Sequence, residues 1–498
     1  MRAFKSQTIK KAIIMRLVIK FFPEIVIKSR TLRRNMTMVL ASNIRNMARD
    51  LDCQVSAKVL WDQIDVRISE AKDDSVEIFI ERLSNMPGID KIQFIRRTEF
   101  SELADLETMV AEHYSGLIKG KSFCVRVKRK GQHTFKSFQA EQFLGGCLLR
   151  AQPDTHVDLH NPDITVSLSI KDQQLDFVEK VIQGQGGYPL GTQGQVLSLI
   201  SGGFDSSVAT YLSIKRGFKT HYCFFNLGGI NHEIGVKQVA DYIWRNHSFS
   251  HRVKFVSVPF EPVVAEILNK VHHSQMGVVL KRMMMRAANK VARKVKAGAL
   301  VTGESLAQVS SQTLPNLNLI DKVCEPLVIR PLVVMDKQDI IKIAREIGTE
   351  EFANSMPEYC AVISDRPTSA AKEERIEKEE QAFDMTVLDE AISNAKIEKI
   401  DAILESVSTP FETEEVQTPA KSDIIIDVRH PNEEQRSSLD FSHNEILKIP
   451  FYKLSSEALK LNQDKRYLLY CDRGVMSQLQ AAQLVSEGYK NFLVFKPK

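Results

Sequence analysis

The stretch Ser201-Gly202-Gly203-Phe204-Asp205-Ser206-Ser207 constrains this chain more than any other. It follows the apolar run Val196–Ile200, which reads as a buried parallel strand, and precedes Val208–Leu212, which reads as a helix opening. A strand, a Gly-rich turn and a helix N-terminus together form an anion cradle. Glycines let backbone N–H groups approach phosphate oxygens, and the helix dipole favours negative charge there. The loop is no Walker sequence, since Gly-Lys-Ser/Thr does not follow four spacer residues, and the G-x-G-x-x-G spacing is absent. An ordinary Ser/Gly helix cap is the alternative, but three serines, two glycines and an acid in one junction exceed what a cap requires.

From Gln195 onward, strand-like and helix-like segments alternate: Val196–Ile200, Val208–Lys215, Thr220–Phe225, Val236–Trp244, Lys254–Val258, Pro262–Val271, Met276–Lys296 and Leu300–Thr302. That is the pattern of a doubly wound α/β sheet, which binds ligands at the carboxyl ends of its strands. A chain of 498 residues exceeds one core and implies several domains. Hydrophobic content of 43% and charged content of 26% fit a soluble globular protein, and no apolar run is long enough to span a membrane. Arg16 and Lys20 interrupt any apolar signal core, so the segment before Met15 reads either as a tail or as an over-extended start. The seven cysteines are scattered and never spaced C-x-x-C, which argues against a disulfide scaffold or a Cys-rich zinc site and for a cytoplasmic chain.

Charge is distributed unevenly. Residues 1–50 carry twelve Lys/Arg against two acids, a net of +10, which suggests a polyanionic partner. Residues 371–420 carry five Lys/Arg against fourteen acids, a net of −9; residues 368–420 read as an acidic interdomain tether. Residues 30–49 read as a helix whose pairs Arg30/Arg34 and Arg45/Arg49 each share a face and repel unless they meet an anion. Five Lys/Arg lie between Lys121 and Lys130 with no acid, and Phe123–His133 alternates apolar and basic residues. A strand with Arg126, Lys128, Arg129 and Lys130 suits a phosphate backbone; a charge-guarded edge strand is the alternative. The helix from Lys281 to Lys296 has seven Lys/Arg and no acid, and as a run it could neutralise triphosphate or RNA.

Two cysteines stand out by position. Arg466–Tyr470 reads as a strand running into Cys471, with a helix following at Gln478–Glu487. Loop N–H groups and the helix dipole there stabilise a thiolate or persulfide. Cys360 follows the Pro357 turn and reads as a surface-loop residue.

These motifs carry resemblances. Ser201–Ser206 resembles the PP-loop of the N-type ATP pyrophosphatases, which split ATP between the α and β phosphates and leave AMP on a substrate oxygen. The basic strand, with Gly145-Gly146-Cys147, Asp158-Leu159 and Asn161-Pro162-Asp163, resembles a THUMP domain, an RNA-binding module preceded in its family by a ferredoxin-like domain. Asp427-Val428-Arg429 and Cys471 resemble a rhodanese domain, although position 476 is Met where many rhodaneses have Arg. With Lys281–Arg286, Thr302–Ser305 and Ser310–Thr313 added, residues 15–498 resemble the ThiI family of tRNA 4-thiouridine synthetases, in its long form.

The resemblance implies an α/β multidomain fold: an N-terminal ferredoxin-like α+β domain over 15–75, a THUMP α+β domain over 76–180, a doubly wound PP-loop ATP pyrophosphatase domain over 190–367, the acidic linker over 368–418 and a small α/β rhodanese domain over 419–498. The backbone of Leu199 and Ile200, with Lys281, Gly303 and Gln312, would bind ATP; Ser201, Gly202, Gly203 and Ser206 would hold pyrophosphate. Asp205 would position Mg²⁺ or the attacking group, and Phe224 and Phe225 would line the adenine. The implied partners are tRNA, a cysteine desulfurase of the IscS type and a thiazole-pathway sulfur-carrier protein. The implied reaction adenylates O4 of uridine 8, replaces it with sulfur from a Cys471 persulfide, and leaves a Cys360–Cys471 disulfide. Supply of sulfur for the thiazole of thiamine, through a carrier thiocarboxylate, is an implied second role. Two rivals stand beside this reading: a tRNA-binding protein with a decayed nucleotide site, and a sulfurtransferase confined to thiamine synthesis.

Overall fold

A computed structural model describes residues 15–70, 73–356, 366–405, 413–429, 431–436, 438–439, 441, 443–472 and 474–497. The chain forms two compact units that meet in sequence at Pro189 and Leu190.

The first unit is built on one sheet of β1 (Met15–Phe21), β2 (Gln54–Val59), β3 (Gln63–Glu70), β4 (Ile89–Glu99), β5 (Ser122–Lys130), β6 (His156–Val157), β7 (Ile164–Lys171) and β8 (Gln174–Gly186). Its order is β2-β3-β1-β4-β8-β7-β5-β6, so a single sheet runs through both the ferredoxin-like and the THUMP segments. The alternation in β7 explains its seating: Val166, Leu168 and Ile170 are buried while Thr165, Ser167 and Ser169 face out. The inner face packs Phe123, Val125 and Val127 against Leu106 and Val110 of the helix Asp105–Ile118 and Leu144 and Leu148 of the helix Ser137–Ala151. Arg16 of β1 ties the sheet laterally, reaching Asp65 on β3 at 2.9 Å and Asp176 on β8 at 2.8 Å.

The second unit holds two sheets. The larger contains β9 (Gln195–Leu199), β10 (Lys219–Asn226), β11 (Lys254–Pro259), β12 (Ala299–Val301), β13 (Leu327–Ile329) and β14 (Lys396–Lys399), in the order β13-β12-β9-β10-β11-β14. All neighbours are parallel except β14, which adds antiparallel at the β11 edge. The chain winds outward from β9 through β11, then returns to β12 on the opposite side. The β9–β12 border is therefore the topological switch point of the sheet. The smaller sheet contains β15 (Glu415–Val416), β16 (Ile424–Asp427), β17 (Ile446–Lys448), β18 (Tyr467–Tyr470) and β19 (Phe492–Phe495), ordered β15-β19-β18-β16-β17 and parallel throughout.

The acidic segment is no free tether over residues 373–399. It folds into the helices Glu373–Ala382 and Met385–Ser393 and ends in β14. Both helices lie against the basic helix Met276–Val295: Glu380 accepts from Arg282 at 2.6 Å and Arg286 at 3.0 Å, and Asp389 pairs with Lys290. Arg282 has only 7% of its side chain exposed, and a buried guanidinium needs an anionic partner. The two charge runs of opposite sign thus answer each other, and most of the helix's cations are engaged internally.

Candidate active site at the switch point

Strand β9 delivers the Gly-rich loop to the switch point. Gly202 has φ +83°, a left-handed backbone that favours glycine, and a Cβ there would collide with the Met356 methyl. Gly203 caps the helix Phe204–Lys215 without a side-chain acceptor, so its first-turn N–H groups lack a side-chain cap. Ser206 Oγ accepts from Ser201 N at 3.1 Å and lies 3.1 Å from Ser201 Oγ, which closes the loop on itself. Ser201 is exposed while Ser206 is buried. The site is a backbone cradle with one exposed hydroxyl, suited to a phosphate group.

The loop after β12 completes it. A Cβ on Gly303 would lie 2.6 Å from Ser206 N and 2.7 Å from Asp205 O, so glycine is needed for this close approach. Glu304, 4% exposed, accepts from Thr302 Oγ1 and Arg330 Nε, both at 2.9 Å, and stands 3.9 Å from Lys281 Nζ. Gln312 Oε1 accepts weakly from Ser305 N at 3.4 Å, which pins the turn Ser310–Gln312 beside the same loop. Ala307, between them, has φ +62°, a strained backbone for alanine.

Leu199 ends β9 and Ile200 follows it at this rim, where Ile200 N donates to Cys223 O at 2.9 Å. Phe224 and Phe225 do not form one wall. Strand alternation sends Phe224 into the core of the helix Gly229–Ile243, edge-on to His232 at 4.7 Å. Phe225 enters the opposite core, with Phe260 and the helix that bears Lys281. Burial pushes the His232 imidazole down despite a hydrogen bond with the Ser201 backbone, leaving a neutral ring behind the loop.

In the smaller sheet, Cys471 follows the central strand β18 and is buried. Ser477 N, in the first turn of the helix Val475–Ser486, donates to Cys471 Sγ at 3.3 Å, and Gly474 turns the loop at φ +72°. Arg429, buried between Asp427 at 2.7 Å and Asp472 at 2.9 Å, braces the carboxyl ends of β16 and β18. Burial opposes its charge, but the Asp427 carboxylate outweighs this and raises the guanidinium further. Burial pushes up the thiols of Cys53, Cys147, Cys223 and Cys324, the last to about 12, which disfavours their thiolates. Cys360 lies outside the described residues.

In the first unit, Arg126, Lys128 and Lys130 of β5 are exposed, and Arg129 is half-buried against His133 at 3.1 Å. Arg126 donates to Leu159 O at 2.9 Å. Strand β6 covers only Ser122 and Phe123, so the basic part of β5 keeps one edge open.

Family profiles match three segments: THUMP over residues 100–175, the thiamine biosynthesis protein ThiI over 191–385, and a rhodanese-like domain over 407–496. The chain is 49% identical to the tRNA sulfurtransferase of Shewanella loihica and 50% identical to that of Shewanella halifaxensis, each across 97% of this chain and 100% of the relative. The chain belongs to the tRNA sulfurtransferase family. A solved 4-thiouridine synthetase–RNA complex with bound ATP superposes with a TM-score of 0.67 at 25% identity, covering 77% of this chain and 99% of that one.

For a chain of the tRNA sulfurtransferase family, two site residues escape a reading of the sequence. Asp205 is held by Lys337 Nζ at 2.8 Å, from the start of the helix Lys337–Glu346, and by Gln308 Nε2 at 2.9 Å, from the loop after β12. Lys337 carries a signal in hindsight: a cation in the first turn of a helix opposes the dipole unless it has a local counter-charge. Gln308 carries none. Among the described residues, no cluster of three His, Cys, Asp or Glu forms a metal cage.

Proposed function

We propose that this protein is an ATP-dependent tRNA sulfurtransferase that converts uridine 8 of tRNA to 4-thiouridine. The observation that carries the reading is the backbone cradle at the switch point, with Gly303 packed on Asp205 and Ser206, in a chain that also holds an exposed basic strand and a cradled cysteine. Ser201, Gly202, Gly203 and Ser206 hold the β and γ phosphates, and the rim of Leu199, Ile200, Lys281 and Gln312 holds the rest of ATP. Of the two phenylalanines, Phe225 is the one on the Lys281 side. Uridine O4 attacks the α phosphorus and pyrophosphate leaves. Lys337 and Gln308 keep Asp205 in place for that step. Mg²⁺ commonly takes one or two carboxylates plus phosphate oxygens, so Asp205 fits as its protein ligand; bound there, it would neutralise phosphate charge.

A desulfurase of the IscS type charges Cys471 with a terminal sulfur. The Cys360 thiol then attacks the Cys471 sulfur, a disulfide forms between them, and the terminal sulfur leaves with its electron pair as hydrosulfide. Hydrosulfide displaces AMP at C4, and a two-electron dithiol reductant reopens the disulfide. In this division residues 15–75 and 76–180 serve tRNA, 190–367 activation and 419–498 sulfur carriage, all in the cytoplasm. The same Cys471 persulfide can feed a sulfur-carrier protein for thiazole synthesis.

The test combines full-length protein with ATP, unmodified tRNA, cysteine and desulfurase. Pyrophosphate release should require tRNA, and 4-thiouridine should appear in digested nucleosides by mass spectrometry. Cys471→Ala should keep pyrophosphate release and lose 4-thiouridine. Cys360→Ala should lose repeated turnover. Pyrophosphate release independent of tRNA would sink the reading.

A further inference from the structure

The two sheets of the second unit meet through Gln238. It lies on the helix Gly229–Ile243, is 6% exposed, and donates its side-chain amide to the Met476 thioether at 2.9 Å. Met476 stands in the first turn of the helix after Cys471 and precedes Ser477, whose N–H reaches Cys471 Sγ at 3.3 Å. One turn back from Gln238 on the same face is Gly235. A Cβ there would approach the Met356 methyl to 2.7 Å and its sulfur to 2.8 Å, and that same methyl packs on Gly202 of the pyrophosphate loop. A contact path therefore runs from Gly202 through Met356, Gly235, Gln238 and Met476 to the Cys471 loop. Its flank is fastened by the Phe352 and Phe451 rings at 5.2 Å and by Lys453 with Glu351 at 3.0 Å. Val236, Val239 and Phe352 share one buried cluster with Phe451, Leu454 and Cys471.

We infer that Gln238 is a positioning residue that registers the Cys471 loop on the helix backing the pyrophosphate loop, and that sulfur is handed over from this docked arrangement. The inference rests on the proposed function. The residue types suit a dock that must also release. An N–H···S contact is weak, and thioethers repack readily, so the Cys471 loop can leave to meet its sulfur donor and return. A strong buried ion pair at the same place would hold the loop shut.

The test uses full-length Gln238→Glu, which removes the N–H donor with little change of shape and sets a carboxylate against the thioether. tRNA-dependent pyrophosphate release and desulfurase loading of Cys471 should stay within twofold of the unsubstituted protein, while 4-thiouridine formation falls at least tenfold. The double variant Gln238→Arg with Met476→Glu, which replaces the weak contact by an ion pair, should regain exchange protection without regaining repeated 4-thiouridine turnover, and full recovery of turnover would overturn the need for release. Hydrogen exchange reads docking without catalysis: protection of residues 235–243 and 474–480 should drop in Gln238→Glu. Unchanged exchange, or 4-thiouridine formation at the unsubstituted rate, overturns the inference. Loss of pyrophosphate release in Gln238→Glu alone overturns it too, by placing Gln238 in activation. Failure of the unsubstituted protein to release pyrophosphate with tRNA overturns the proposed function and the handover with it, while exchange still decides the dock.

Discussion

Strand β5 and the helix Met276–Val295 are both densely cationic, and the fold treats them in opposite ways. On β5, Arg126, Lys128 and Lys130 are exposed, and none forms an ion pair with a described residue. On the helix, Arg282 and Arg286 share Glu380, Lys290 meets Asp389 and Arg293 meets Glu325. Cation density alone therefore does not mark an RNA surface. A better candidate is a row of cations without a counter-charge among the described residues, because such cations gain when a phosphate arrives and counterions leave.

The sharpest way to break the contrast is Glu380→Ala. It strands Arg282, and loss of one partner from a buried pair costs about 3–5 kcal/mol. Urea unfolding should register that loss while tRNA affinity stays within twofold. Unchanged stability would show that the helix had never needed its cover.

Acid offers a second route. Burial works to raise Glu380, but Arg282 and Arg286 outweigh it and hold the carboxyl below its ordinary value of 4.5. A depressed folded value means the stabilisation is complete above 4.5 and is lost as pH falls below it toward the folded value. Trp244 is buried in the second unit and Trp61 is exposed in the first. In a Trp61→Phe background, Trp244 emission should report destabilisation below pH 4.5 that Glu380→Ala lessens.

On β5, the triple change Arg126→Ala, Lys128→Ala and Lys130→Ala should weaken tRNA binding about tenfold or more. It should also flatten the log–log salt dependence by about 2 to 3. Stability should move by less than about 0.5 kcal/mol. The smallest effect belongs to Lys290→Ala: an exposed pair is worth about 0.5 kcal/mol, and tRNA binding should not change.

The legible parts of this molecule were local ones. A five-residue apolar strand, two adjacent glycines and the helix after them are contiguous, so β9 and its loop could be read residue by residue. Cys471 was legible for the same reason, standing between β18 and a helix start. The misread parts depended on long separations. Glu380 and Arg282 are 98 residues apart, and no local pattern links an acidic run to the helix it covers. Lys337 reaches Asp205 across 132 residues. Phe224 and Phe225 were legible as a strand end, but pairing them on one adenine ignored the period of two that sends neighbours to opposite faces. The Gln238–Met476 contact, across 238 residues, was beyond any sequence pattern.

The unbroken sheet of the first unit has a consequence for how a partner is measured. Eight strands at about 4.8 Å spacing make a plate roughly 34 Å wide. No linker interrupts it, and the Arg16 clamp stiffens its middle. The basic β5 near one side and the strands β2 and β3 at the other therefore hold a set separation, as marks on a ruler do. A ligand gripping both must bring its own contact points to that spacing.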